Sequence, residues 1–121
     1  MENALDPYRR LIQKILTERA ELENHARSQN WTDTTSNEET VVVFDVQNDI
    51  YVLHRMGWYG IDRVWDTAIF VRLHDGKFWI EEDWTEEGVA TYLLEAGVPH
   101  EHIVLAFHHP RTRARSAFAV A

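Results

Sequence analysis

Apolar residues recur along this chain with two different periods, and each change of period marks a new element. Tyr8, Leu11, Ile12, Ile15, Leu16 and Leu22 keep the 3.6-residue period of a helix, while Arg9, Arg10, Gln13, Lys14, Glu18 and Glu21 occupy most of the remaining surface. Asp6-Pro7 supplies a start signal, an N-cap oxygen followed by proline at the first helical position. The spacing predicts a helix from about Pro7 to near Ala26. Periodicity then lapses. Residues 23–40 are expected as a polar loop, because Thr32-Asp33-Thr34-Thr35-Ser36-Asn37-Glu38-Glu39 is rich in turn-forming side chains. Trp31 is the only large apolar residue in that loop. It reads as a pin to the core or, alternatively, as a partner contact.

The period then shortens to two. Thr40–Gln47 and Ile50–Trp58 are predicted strands, joined by Asn48-Asp49 as a two-residue turn. A second turn falls near Tyr59-Gly60-Ile61-Asp62. Arg63–His74 forms a long strand, Asp75-Gly76 a type I′ hairpin turn, and Lys77–Asp83 the returning strand. Asp83-Trp84-Thr85-Glu86 has the character of a capping box, so a second helix is expected over Thr85–Ala96, with Val89, Leu93 and Ala96 on its inner face. Gly97 and Pro99 end it. Ile103–Phe107 and Ser116–Val120 are predicted as two more short strands. The order αββββαββ implies a single α+β domain over residues 1–121 with a largely antiparallel sheet.

The hairpin sets a register. With Asp75-Gly76 as the loop, His74 opposes Lys77, Leu73 opposes Phe78, Arg72 opposes Trp79 and Val71 opposes Ile80. Ile69, Val71, Leu73, Phe78 and Ile80 then share a core face. The opposite face carries Ala68, Phe70, Arg72, Trp79 and Glu81, a mixture of aromatics and charges suited to a helix edge, a loop or a second subunit. Phe70, Arg72 and Trp79 are therefore the expected partner interface.

Composition limits the chemistry. The 121 residues include no cysteine, which excludes disulfides, thiol catalysis and cysteine-based zinc sites. No apolar run approaches a membrane span, and Met1-Glu2-Asn3-Ala4 lacks the features of a signal peptide, so a cytoplasmic protein is expected. The net charge of −8 argues against independent DNA binding, which draws its affinity from phosphate neutralisation. Arg111, Arg113 and Arg115 form a local exception. Their spacing of two would align them along one side of an extended segment, as an anion or DNA contact or simply a solvated cationic face.

No catalytic constellation emerges. His100-Glu101-His102 and His108-His109 have spacing compatible with metal ligands but sit at loop positions where solvated or capping histidines are expected. His54 shares a strand face with Val52, Met56 and Trp58, where a satisfied, partly buried histidine is the ordinary reading. Gly57 reads as a bulge or a close backbone approach. Glu81, Glu82 and Asp83 alternate across a strand rather than converging, and Asp66, Glu81, Lys77 and Asp83 do not match a nuclease pattern. Nucleotide-binding and hydrolase motifs are absent. A non-enzyme without cofactor or metal is expected.

The ordered series Met56-Gly57-Trp58, Leu73-His74-Asp75-Gly76-Lys77-Phe78-Trp79-Ile80, Asp83-Trp84-Thr85-Glu86-Glu87-Gly88-Val89-Ala90, Gly97-Val98-Pro99, Ile103-Val104-Leu105-Ala106-Phe107-His108 and Phe118-Ala119-Val120-Ala121 resembles the XisI family. These are fdxN-element excision controlling factor proteins, found mainly in cyanobacteria. The resemblance covers roughly residues 5–22 and 40–121. Ala106, His109 and Arg72-Leu73 depart from the glycine, proline and Asp-Ile expected there. The resemblance implies a small α+β protein that serves as an accessory factor in DNA recombination, with the chemistry left to a separate recombinase. It also implies a protein partner, a XisH-like protein of endonuclease-like fold, since such genes commonly lie side by side. A homodimer is a further expectation. Two readings stand against it: a DNA-binding accessory protein using Arg111, Arg113 and Arg115, and an enzyme with an unrecognised polar site.

Overall fold

A computed structural model describes residues 3–29 and 36–121. The first helix, α1 (Asp6–Ser28), buries Ile12, Leu16 and Ala20 along one stripe, with Tyr8, Leu11 and Ile15 at its margins. Leu22 lies off that stripe and is 60 % exposed, contrary to the periodic reading. Asp6 is also not the cap. Leu5 holds that position, and the Asp6 carboxylate reaches back to the Asn3 N–H at 2.6 Å and forward to Arg9 at 2.6 Å. The helix runs to Ser28, so Glu23, Asn24 and Arg27 are helical and the polar segment is shorter than 23–40. Trp31 lies outside the described residues.

Five strands form one sheet in the order β1 (Glu39–Asp45), β2 (Ile50–Tyr59), β3 (Asp62–His74), β4 (Lys77–Asp83), β5 (Ile103–Leu105). Neighbours are antiparallel except β4 and β5. That parallel pair requires a crossover, which α2 (Val89–Glu95) supplies. The first hairpin closes at Asp45↔Ile50, so its loop is Val46–Asp49 rather than Asn48-Asp49 alone. The Asp45 carboxylate takes the Asn48 N–H at 3.0 Å, and Asp49 adopts φ 54°. The second hairpin is as expected: Asp75 and Gly76 have φ 52° and 73°, and the pairing from His74↔Lys77 through Val71↔Ile80 matches the predicted register.

Two irregularities re-aim side chains. Leu53 pairs with Ile69 but His54 with Thr67, so Ala68 is an extra residue in β3. It is fully buried and does not join the face of Phe70 and Arg72. On β4 the pairing passes from Val71↔Ile80 to Phe70↔Glu82, leaving Glu81 extra. A bulge of this kind flips the alternation beyond it. Asp83 therefore turns to the helix side, where its carboxylate accepts from Thr85 N, Thr85 Oγ1 and, at 2.6 Å, the Val89 N–H that opens α2. Asp83 is the cap in effect, but across a loop. The helix begins at Val89 instead of Thr85, with Gly88 (φ 78°) as its flanking residue. Its end is a Schellman motif: Gly97 (φ 95°) donates to Leu94 O and Val98 to Leu93 O, both at 3.0 Å.

The core lies between α1, α2 and one face of the sheet. Tyr51, Leu53, Ile69, Val71, Phe78 and Ile80 meet Ile12, Leu16, Val89 and Leu93 there. Residues 116–120 do not form a strand. Ala119 makes an isolated parallel bridge to Val104, preceded by the one-turn helix α3 (Pro110–Arg113).

Candidate interaction surface

The sheet's two faces have different fates. On the helix side, Glu23 of α1 accepts both Arg55 Nε (2.9 Å) and Nη2 (2.8 Å) from β2, together with Arg19 Nε (2.8 Å) and Thr40 Oγ1 (2.8 Å). Burial by itself would raise the Glu23 carboxyl, but these donors hold it at about 2. A second clamp joins Arg9 to Asp49, with Tyr51 donating to the same carboxylate at 2.9 Å. Burial, and then that hydrogen bond, push the Tyr51 phenol up to about 12. Helix and sheet are thus joined by an apolar core edged with ion pairs.

The other side is not covered by α1 or α2; at its Trp79 end the Arg113 guanidinium of α3 stands 6.0 Å from the indole ring centre. Strand pairing sets Val41 and Val43 of β1 beside Val52, His54, Met56 and Trp58 of β2, then Arg63, Trp65, Thr67, Phe70 and Arg72 of β3, then Trp79 of β4. Of these, Val43 is 55 %, Trp58 44 % and Trp65 61 % exposed, whereas Phe70, Arg72 and Trp79 are half-buried. Phe70, Arg72 and Trp79 do share this face, as the register implied. Arg72 donates to Glu81 at 2.9 Å and stands 5.3 Å from the Trp79 ring centre; the Trp79 indole N–H donates to His74 O at 3.0 Å.

Sequence reading missed the far end of this face. Arg63 is held between two indoles, 5.4 Å from Trp58 and 5.2 Å from Trp65, and donates to Gly57 O at 3.0 Å. The available signal was the pairing of Trp58 with Arg63 and of Met56 with Trp65 across the second turn. Gly57 serves a close approach rather than a bulge. At φ 118° it lies against Asn37, whose carbonyl oxygen would be 2.4 Å from an added Cβ. Near the centre, His54 contacts Thr67 Oγ1 at 3.3 Å and the Trp65 ring at 4.5 Å, and its Nε2 is buried without a hydrogen-bond partner among the described residues.

The remaining candidates are dispersed. Arg111, Arg113 and Arg115 are not on an extended segment, because α3 winds the first two into a turn. Arg113 donates to His108 O (2.9 Å) and Val120 O (2.7 Å), whereas the other two side chains are exposed. Arg55 is on the helix side with Glu23, while Arg63 lies at the start of β3 and Lys77 on β4 opposite the end of β3, so no continuous basic stripe includes them. His102 bonds Tyr8 at 2.6 Å, His100 packs on Phe118, and His109 caps α3 through the Arg111 N–H at 3.2 Å. No group of three metal-ligating side chains occurs among the described residues. A cleft of about 180 Å³ between α1 and α2 is lined by Ile15, Glu18, Arg19, Leu22 and Tyr92, with Arg19 already committed to Glu23 and Glu87. Among the described residues, no helix is long and apolar enough to cross a membrane.

A family model described as XisI protein matches residues 1–120. Two solved structures from Anabaena variabilis are similar over their full length. One, a XisI-like protein, is 30 % identical with a TM-score of 0.79, covering 97 % of this chain and 99 % of its own. The other, the fdxN element excision controlling factor XisI, is 34 % identical with a TM-score of 0.75, covering 98 % and 100 %. No curated protein matches significantly. Sequence match, fold and coverage agree, and the chain belongs to the XisI family.

Proposed function

We propose that this chain is a non-catalytic controlling factor in programmed excision of a DNA element, acting by binding a XisH-like protein through the open face of its sheet. The relative named as an excision controlling factor supports the process. The observation that carries the mechanism is the uncovered face itself, where Phe70, Arg72 and Trp79 adjoin the exposed Trp58–Arg63–Trp65 group. Tryptophan and arginine in an apolar setting are the residues that dominate binding energy at protein interfaces. A partner would also cover an exposed aromatic surface.

Capture of the purified XisH-like protein encoded by the adjacent gene tests this directly. Binding should persist as salt rises, since apolar and aromatic contacts are screened little, and should be lost in the Phe70→Ser/Trp79→Ala variant. The alternative use of Arg111, Arg113 and Arg115 on DNA has the opposite signature, a steep fall in affinity with salt through counterion release. Salt-tolerant, sequence-specific binding of duplex DNA by the chain alone would replace the protein-partner reading. Metal-dependent cleavage abolished by one carboxylate substitution would replace the non-enzyme reading.

A further inference from the structure

β1 is an edge strand, and its free edge is short and sharply bounded. Thr40 turns its backbone outward, where the Asn24 side-chain amide satisfies both groups: Asn24 Nδ2 donates to Thr40 O and Thr40 N–H donates to Asn24 Oδ1, each at 2.9 Å. An amide used this way imitates one rung of a neighbouring strand. Backbone direction alternates along a strand, so Val42 and Phe44 also face outward, while Val41, Val43 and Asp45 bond inward to β2. Beyond Asp45 the chain enters the Val46–Asp49 turn. Only Val42 and Phe44 thus present outward N–H and C=O groups, and no described residue outside the sheet bonds them.

Edges of this kind are normally guarded by lysine, proline or a bulge. Val41-Val42-Val43-Phe44 contains none of these. We propose that a second copy of this chain pairs antiparallel along this edge, about a twofold axis at Val43, making one ten-stranded sheet from two five-stranded ones. The occupant follows from the number and placement of the free groups. About that axis, Val42 meets the second copy's Phe44 and Phe44 its Val42, so each free residue finds a free residue and four backbone hydrogen bonds close. Shifting the axis to Val42 would set Thr40, already occupied by Asn24, against Phe44, and the acidic Glu39 against Asp45. Shifting it to Phe44 would set Val42 against Val46 of the turn. In the Val43 register Glu39 opposes Gln47 and Asp45 opposes Val41, so no like charges face each other. Val42 and Phe44, half-buried at the core margin, would be enclosed by their counterparts, while Val43 would meet Val43 on the open face. This pairing goes beyond the partner reading above and is centred on the β1 edge, with Val43 shared between that edge and the open face.

The register has a chemical signature. Val43 opposite Val43 is a non-hydrogen-bonded pair with Cα atoms about 4.5 Å apart, within disulfide reach. The chain has no cysteine, so Val43→Cys introduces a single reporter thiol. Light scattering of the full chain should give twice the monomer mass. Val43→Cys should oxidise to a crosslinked dimer, whereas Val52→Cys, on the same face one strand inward, should not. Val43→Glu, at an exposed position, should halve the mass while leaving the circular dichroism spectrum unchanged. A monomeric wild-type chain, a dimer indifferent to Val43→Glu, or Val43→Cys crosslinking no better than Val52→Cys would each overturn the proposal. Val43 also lies on the open face, so the Phe70→Ser/Trp79→Ala variant, on β3 and β4 away from the β1 edge, separates the two readings: it should lose the XisH-like protein while keeping the dimer mass, and a loss of that mass would overturn the edge pairing.

Discussion

The two faces of the sheet are built from the same strands by the same alternation, yet only one is closed. On the helix side, α1 and α2 lie over Tyr51, Leu53, Val71, Phe78 and Ile80, and charged side chains seal the margin through Glu23–Arg55 and Arg9–Asp49. On the other side, Trp58, Trp65 and Val43 remain exposed, and the charged groups stack on indoles. Hydrophobicity alone does not separate the faces, because both are apolar. They differ in whether α1 and α2 lie across them; the second face receives Arg113 of α3 at its Trp79 end. A sheet closed on one face satisfies the needs of folding; an aromatic second face is better matched to association.

Substitutions graded across the sheet sharpen this contrast. The largest loss should follow Phe78→Ala, which empties a fully buried ring site beside Tyr8: about 3–5 kcal/mol in denaturant unfolding. Cutting the polar seam should cost less. Glu23→Gln strands Arg55 and Arg19, and a loss on the order of 2–3 kcal/mol is expected.

Acid probes the same seam. The folded Glu23 carboxyl, at about 2, lies below its ordinary 4.5, so the unfolded chain takes up its proton first. The stability it confers is full above pH 4.5 and should drain away as pH falls toward 2, with Asp49, lowered chiefly by the Arg9 hydrogen bonds, adding in the same direction. Glu23→Gln should flatten that part of the stability–pH profile. A profile unchanged by the substitution would mean that the ion pairs do not couple α1 to the sheet.

The smallest stability effect belongs to the open face. Trp65→Ser should change stability by no more than about 0.5 kcal/mol, since the ring is 61 % exposed. The same change should weaken capture of the XisH-like protein. If Trp65→Ser destabilised the chain as much as Phe78→Ala, the distinction between a folding face and a binding face would fail.

Much of this contrast was legible in the residues. The Asp75-Gly76 turn is defined by local φ requirements, and a two-residue loop leaves one register, so the facing of Phe70, Arg72 and Trp79 away from the core followed directly. The start of α2 did not follow. Local rules read Asp83 as the immediate cap, whereas the Glu81 bulge and the turn through Gly88 carry its carboxylate six residues onward to Val89. The Arg63 stack was missed because it depends on the register of the second turn, which was located at Tyr59-Gly60-Ile61-Asp62 but not used to pair Trp58 with Arg63.

The chain by itself determined its alternation: period 3.6 over α1, period two over the strands, and glycines where left-handed backbone is required, as at Gly76 and Gly97. These are contacts and dihedral preferences between near neighbours, and they survive in any tertiary setting. Tertiary structure decided which apolar face was covered, that Arg55 would be consumed by Glu23 while Arg63 stacked on tryptophans, and that Asn24 would stop the edge of β1 at Thr40. Those choices join residues far apart in sequence, Glu23 to Arg55 and Asn24 to Thr40. Only the packing of α1 against one side of the sheet brings their atoms within hydrogen-bond reach.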